Sequence, residues 1–92
     1  MNYRNLRVAK LIQEELGKII QREIDFGNSV IVTITEVEVL KDLSQAKIKI
    51  GVMPESGAEE VLNLLNNRQP FLQNLLMKRI NIKPMPGIVF CN

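Results

Sequence analysis

Apolar and polar residues alternate from Thr33 to Ile50, and this pattern predicts two strands folded back on each other. With residues 40–45 as the connection, one register satisfies both faces of the pair. The apolar face is then expected to pair Val39 with Ala46, Val37 with Ile48, and Thr35 with Ile50. The opposite face pairs Glu38 with Lys47 and Glu36 with Lys49. Because both faces match in one register, the segment is predicted to be an antiparallel hairpin with one buried side.

Residues 4–24 are predicted to form the first helix, because apolar residues recur there at three- and four-residue steps. The apolar stripe consists of Leu6, Ala9, Ile12, Leu16, Ile19 or Ile20, and Ile24. Glu14 and Lys18 are four residues apart and are expected to form an ion pair on another face. Gly17 is interpreted as a point of close approach between the helix and the sheet. A turn over residues 25–29 ends the helix.

A second helical region follows the hairpin. Ser56 and Glu59 have the spacing of a capping box, in which each side chain satisfies a backbone donor of the first helical turn. The buried face of this helix is predicted to consist of Ala58, Val61, Leu62 and Leu65. A helix kink is predicted at Gln69 and Pro70, because proline disfavours helical geometry in the preceding residue and suits the first turn of a new helix. The third helix would end at Arg79, with a buried side formed by Phe71, Leu72, Leu75 and Leu76.

A short apolar run, Ile88 to Phe90, follows two prolines and a glycine and is predicted to be a third strand. Two strands cannot cover three amphipathic helices well. The third strand is therefore expected to join the hairpin in a three-stranded sheet with the helices packed on one face, an α+β architecture. A chain of 92 residues can close one hydrophobic core, so residues 1–92 are predicted to form a single domain.

The hairpin also carries a family pattern. Its run T-x-T-E-V-E-V-x-x-D-L-S-x-A-K, from Thr33 to Lys47, follows an Arg7-Val-Ala9 helix and precedes a leucine-rich helical stretch. In these features the chain resembles the bacterial ribosome-binding factor A family from about Arg4 to Phe90. The resemblance implies a type II KH-like fold with the order helix, strand, strand, helix, kink, helix, strand. It also implies that the kink replaces the G-x-x-G loop with which other KH domains clamp RNA.

Composition argues against catalysis. The chain has no histidine, the usual general base near neutral pH, and its single cysteine, Cys91, has no partner that could activate it. Neither the ligands of a zinc site nor a glycine-rich phosphate loop is found in the sequence. We therefore predict a protein that is not an enzyme and needs no cofactor. The lone cysteine and the lack of a long apolar run favour a cytoplasmic location away from the membrane.

Charge is unevenly distributed along the chain. All ten acidic residues lie at or before Glu60, whereas residues 61–92 carry a net charge of +4. A basic segment of this kind is typical of a nucleic-acid-binding surface. The candidate RNA-binding residues are Arg68, Lys78, Arg79 and Lys83, together with Arg4, Arg7 and Lys10 at the start of the first helix. For Lys78 and Arg79 a second explanation stays open, because cations at a helix C-terminus are also favoured by the helix dipole.

Two functions of different classes follow. The resemblance implies an assembly factor that binds the small ribosomal subunit and its ribosomal RNA during late maturation and 5′-end processing, with importance at low temperature. Such a factor would be a monomer when free and would bind no small-molecule substrate. The alternative is a protein–protein module or homo-oligomer formed through an exposed edge strand, either residues 30–39 or residues 88–90.

With four aromatic residues, the chain is expected to offer no ring for base stacking and hence little single-strand sequence readout.

Overall fold

The fold is described over residues 3–92 from a computed structural model. Its helices are α1 (Arg4–Glu23), α2 (Ala58–Asn67) and α3 (Gln69–Arg79), and a single 3₁₀ turn (Glu55–Gly57) precedes α2. Its strands are β1 (Ile31–Val39), β2 (Gln45–Met53) and β3 (Gly87–Cys91). The order of elements therefore matches the prediction.

The three strands form one sheet in the order β1-β2-β3. β1 and β2 are antiparallel, and β3 lies parallel to β2 on its other side. Alternate residues of each strand point to the helical layer and are buried there: Val37, Val39, Ala46, Ile48, Ile50, Ile88 and Phe90. All three helices contribute to the same core, with Ile12, Leu16, Leu65, Leu72 and Leu76 fully buried. The predicted three-stranded sheet with helices on one face is confirmed.

The predicted hairpin register is correct from Val39 back to Glu36 and wrong beyond it. Ile34, not Thr35, lies opposite Ile50, because a β-bulge inserts one extra residue into β1 between Ile34 and Glu36. The Thr35 hydroxyl donates a hydrogen bond to the Lys49 carbonyl oxygen at 3.2 Å. The extra residue thus keeps Ile34 on the core side of the sheet while Thr35 is exposed.

The buried face of α1 differs from the predicted stripe at its first turn. Leu6 is 60% exposed, and Val8 is buried in its place. Lys18 forms its ion pair with Glu15 at 3.4 Å rather than with Glu14. A side chain at Gly17 would meet nothing within 4 Å, so this glycine is not a point of close approach to the sheet.

After the hairpin, the break between the helices and the end of the last helix at Arg79 are confirmed, and two predictions are wrong. The break is present, since α2 ends at Asn67 and α3 begins at Gln69. The capping box is absent, because Ser56 lies within the 3₁₀ turn and makes no side-chain cap to α2. Phe71 was placed on the buried side of α3, but 40% of its surface is exposed. It instead packs against a neighbouring arginine.

Side-chain amides contact the backbone of both edge strands. Asn5 donates to the Val39 carbonyl oxygen at 3.3 Å, and Gln13 donates to that of Ile34 at 3.4 Å. On the third strand, the backbone N–H of Ile88 donates to the Gln73 side-chain oxygen at 2.8 Å. These contacts occupy backbone groups of β1 and β3 that an added strand would need, which weakens the edge-pairing hypothesis.

Candidate nucleic-acid interface

The start of α1 and the segment between α3 and β3 meet at one end of the molecule. There the Arg4 guanidinium donates a hydrogen bond to the Lys83 backbone carbonyl oxygen at 2.9 Å. Arg7 and Lys10 lie one and two turns further along α1, and both side chains are exposed. Residues that are 79 positions apart in sequence thus meet at this end of the molecule, which the charge pattern along the chain does not predict.

The end of α3 packs against the middle of α1. An Arg79 nitrogen lies 3.5 Å from Glu15 Oε1, and the exposed Lys78 precedes it. Partial burial by itself raises the pKa of Glu15, but the Lys18 ammonium and the Arg79 guanidinium more than offset this effect and hold the pKa below its ordinary value. Arg79 therefore has a structural partner, whereas Lys78 has none within 4 Å among the acidic side chains of residues 3–92.

The junction between α2 and α3 carries the predicted kink residues and Arg68. Arg68 is the single residue between the two helices, and Gln69 and Pro70 form the first turn of α3. The Arg68 guanidinium carbon lies 4.5 Å from the centroid of the Phe71 ring, a cation–π contact at the surface. An exposed arginine stacked on an exposed ring presents both a positive charge and a flat apolar surface.

Gln73 was not among the predicted site residues, but it connects this junction to the third strand. Its side-chain oxygen accepts hydrogen bonds from the Ile88 N–H and from the Gln69 amide, and its nitrogen donates to the Pro86 carbonyl oxygen at 3.0 Å. A glutamine at a helix position gives no sequence signal for such a role. The first turn of α3 is thereby held against the start of β3.

The β1–β2 turn contributes a further cation, Lys41, which is not among the predicted RNA-binding residues. Ser44 donates to the Asp42 carboxylate through both its hydroxyl and its backbone N–H, at 2.7 and 3.0 Å. These hydrogen bonds lower the pKa of Asp42. Between them Leu43 takes a positive φ of 62° and buries its side chain in the core. The Asp-Leu-Ser part of the family pattern is thus a turn that presents Lys41 near Arg4.

The predicted cations do not form one compact cluster. Arg4 and the additional Lys41 lie at the start of α1, where Arg4 contacts the Lys83 backbone. Arg79 of α3 contacts Glu15, further along α1. Arg68 stands at the opposite end of α3 from Lys78, and a helix of 11 residues is about 16 Å long. The basic residues therefore mark an extended surface suited to several phosphates of a polyanion.

Among residues 3–92 no three side chains of the metal-binding types lie close enough to hold an ion. Within the same range, no helix combines the length and apolar composition that crossing a bilayer requires.

Comparison with known proteins gives one consistent result. The family model for ribosome-binding factor A matches residues 4–92. Ribosome-binding factor A of Akkermansia muciniphila is 34% identical over 98% of this chain and 71% of its own length. The crystal structure of ribosome-binding factor A from Thermus thermophilus superposes with a TM-score of 0.81 at 21% identity, covering 95% of this chain and 93% of that one.

A third match is a Thermus thermophilus ribosome-binding factor A model fitted into a cryo-EM map of a 30S complex. Its TM-score is 0.72 at 23% identity, covering 89% of this chain and 87% of that chain. These matches confirm the predicted type II KH-like fold, with its parallel β2–β3 pair and the α2–α3 kink beside it. The chain belongs to the ribosome-binding factor A family.

Proposed function

We propose that this protein is a non-catalytic assembly factor that binds the small ribosomal subunit through its ribosomal RNA. The observation that carries the proposal is the extended basic surface on a fold of the ribosome-binding factor A family. The 30S complex of the Thermus thermophilus relative supports the choice of subunit. The proposal includes action in late maturation and 5′-end processing, with the greatest importance at low temperature, as the family resemblance implies.

Affinity in this proposal comes mainly from phosphate contacts. Lys78 and Lys83 are exposed, whereas Arg79 is engaged with Glu15. Replacing Arg79 would disturb the α1–α3 contact as well as any RNA contact. Lys78 and Lys83 are therefore the better pair for a test that separates binding from folding.

The test is co-sedimentation of the double variant Lys78→Gln/Lys83→Gln with small ribosomal subunits at several salt concentrations. Loss of two phosphate contacts should weaken retention and reduce the slope of log affinity against log salt by about 2. The matched control is Lys47→Gln/Lys49→Gln, which removes the same charge from the sheet face that the helices leave uncovered. Equal retention of the two double variants on small subunits would contradict the proposed RNA-binding role of Lys78 and Lys83.

The edge-strand hypothesis predicts a different result. A module that acts through strand addition would form concentration-dependent dimers or bind a partner without regard to RNA. The amide contacts of Asn5 and Gln73 to the edge strands favour the RNA-binding hypothesis. Sedimentation of the free protein, expected to be a monomer, separates the two.

A further inference from the structure

A depression of about 810 Å³ lies between the start of α1, the β1–β2 turn and the segment that leads into β3. Its size is within the range of ~300–1,000 Å³ that is common for ligand pockets. The lining side chains that matter here are Tyr3, Arg4, Leu6, Lys41, Leu43 and Pro84. Neither the hairpin pattern nor the α2–α3 kink of the family requires this depression.

The walls are an aromatic ring and aliphatic side chains that face solvent. Tyr3 is 53% exposed and Leu6 is 60% exposed, although both are large apolar groups. The backbone of Tyr3 is hydrogen-bonded to α1, since its carbonyl oxygen accepts hydrogen bonds from the N–H groups of Leu6 and Arg7, both at 3.1 Å. The backbone of Tyr3 is therefore held at the first turn of α1, and its exposed ring lies where a planar ligand could stack on it.

The charges around the depression are mainly positive. Arg4 and Lys41 belong to its lining, and the hydrogen bond of Arg4 brings the backbone carbonyl of Lys83 next to it. Asp42 is the one acidic residue in the lining, and its carboxylate already accepts two hydrogen bonds from Ser44. The first backbone N–H groups of α1 add positive potential at the same place.

We propose that this depression binds one unpaired nucleotide of single-stranded RNA. The base stacks on Tyr3 and contacts Leu6 and Pro84, while Lys41 and Arg4 contact the flanking phosphates. Every base has a flat face, so such a site tolerates many sequences, and aromatic stacking with nearby cations is how single strands are held. The proposal rests on the RNA-binding function above and adds a second contact, away from the α2–α3 kink.

The test is titration of a fluorescent, unstructured 12-nucleotide RNA, followed by anisotropy at fixed salt. We expect Tyr3→Ala to lower affinity about tenfold and Tyr3→Phe to change it by less than about twofold, because the stacking ring remains. Lys41→Gln should lower affinity severalfold and reduce the salt slope by about 0.7, the value for one single-strand phosphate contact. The control is Lys47→Gln, which removes the same charge from the sheet face that the helices leave uncovered. This variant should change RNA affinity only slightly.

Three outcomes would overturn the proposal. Equal RNA affinity of Tyr3→Ala and the wild type would exclude stacking on this ring, and retention of that variant on small subunits would leave the proposed function intact. A deca-glutamate peptide that competes as well as RNA, with Tyr3→Ala weakening both equally, would make an acidic protein segment the occupant. Wild-type protein that binds neither the RNA nor small subunits would remove both proposals.

Discussion

The guanidinium of Arg68 lies 4.5 Å from the centre of the Phe71 ring, at the point where α2 gives way to α3. The stack has a direct sequence cause. Pro70 lies in the first turn of α3, which begins at Gln69, and its fixed backbone geometry suits the turn that carries Arg68 and Phe71. The contact places the guanidinium of the exposed Arg68 over the ring.

Substitutions of Arg68 should separate its charge from its shape. Arg68→Gln should weaken small-subunit binding severalfold and reduce the salt slope by about 1, because one phosphate contact is lost. Arg68→Lys should keep the slope and still bind less tightly, since lysine has no plane to stack on Phe71. Both variants should lose no more than about 1 kcal/mol of stability, the usual limit for an exposed cation–π contact. Wild-type binding by Arg68→Gln would show that the kink does not touch RNA.

Gln73 should matter for stability more than its polar, partly exposed position suggests. Gln73→Leu would leave the Ile88 N–H and the Pro86 carbonyl without their partners, which should cost about 1–3 kcal/mol. Urea denaturation measures the loss, and hydrogen exchange at the Ile88 amide should accelerate. The control is Gln21→Leu, on an exposed position of α1. Equal stability of the two variants would contradict the bridging role.

Glu15 should make folding stability depend on pH in the acid range. Because Lys18 and Arg79 hold its pKa in the folded protein below the ordinary value, its contribution is present above that value. The contribution is lost as the pH falls through the folded-state pKa. In Glu15→Gln, the free energy of unfolding should therefore fall less as the pH is lowered into the acid range. Urea denaturation at a series of pH values measures this dependence. The control is Glu14→Gln, because Glu14 is an exposed neighbour that forms no ion pair within residues 3–92. This variant should keep the pH dependence of the wild type.

Two glycines should respond in opposite directions to alanine. A side chain at Gly17 would meet nothing within 4 Å, so Gly17→Ala should stabilise the protein by about 1 kcal/mol through helix propensity. A Cβ at Gly51 would lie 3.1 Å from Thr35 Cγ2, and the hydrogen bond of Thr35 to Lys49 resists its displacement. Gly51→Ala should therefore destabilise the protein by about 1 kcal/mol. Thermal unfolding of both variants shows whether each substitution raises or lowers stability. A gain in stability for Gly51→Ala would mean that the backbone at the bulge shifts easily to make room for the added methyl group.

The sequence predicted the elements well because each carries a clear period. Charge and apolar matches fixed the register near the turn, where Val39 faces Ala46 and Glu36 faces Lys49. The bulge at Thr35 does leave a sequence signal, since the polar pair Thr35-Glu36 separates Ile34 from Val37 and shifts the phase of the alternation. The predicted register continued the period through this pair and so placed Thr35 opposite Ile50. Ser56 failed as a cap because a 3₁₀ turn takes up the position that its pattern indicated for the helix start.

The candidate site was harder to predict than the fold. Arg4 and Lys83 come together only through the packing of α1 against the segment before β3, which no local pattern reports. Phe71 and Tyr3 contradict the expectation that no aromatic ring is available for stacking, since both are substantially exposed. A helical period assigns a residue to a face but cannot tell how far the neighbouring elements cover that face.

The most direct test of the central proposal is co-sedimentation of the wild-type protein with small subunits, large subunits and free RNA at low and moderate salt. The account predicts retention on small subunits alone at moderate salt, because several phosphate contacts must be matched by the shape of one surface. Equal binding to all three, lost together as salt rises, would contradict it and indicate a nonspecific basic domain. Absence of binding at low salt would favour the edge-strand module instead.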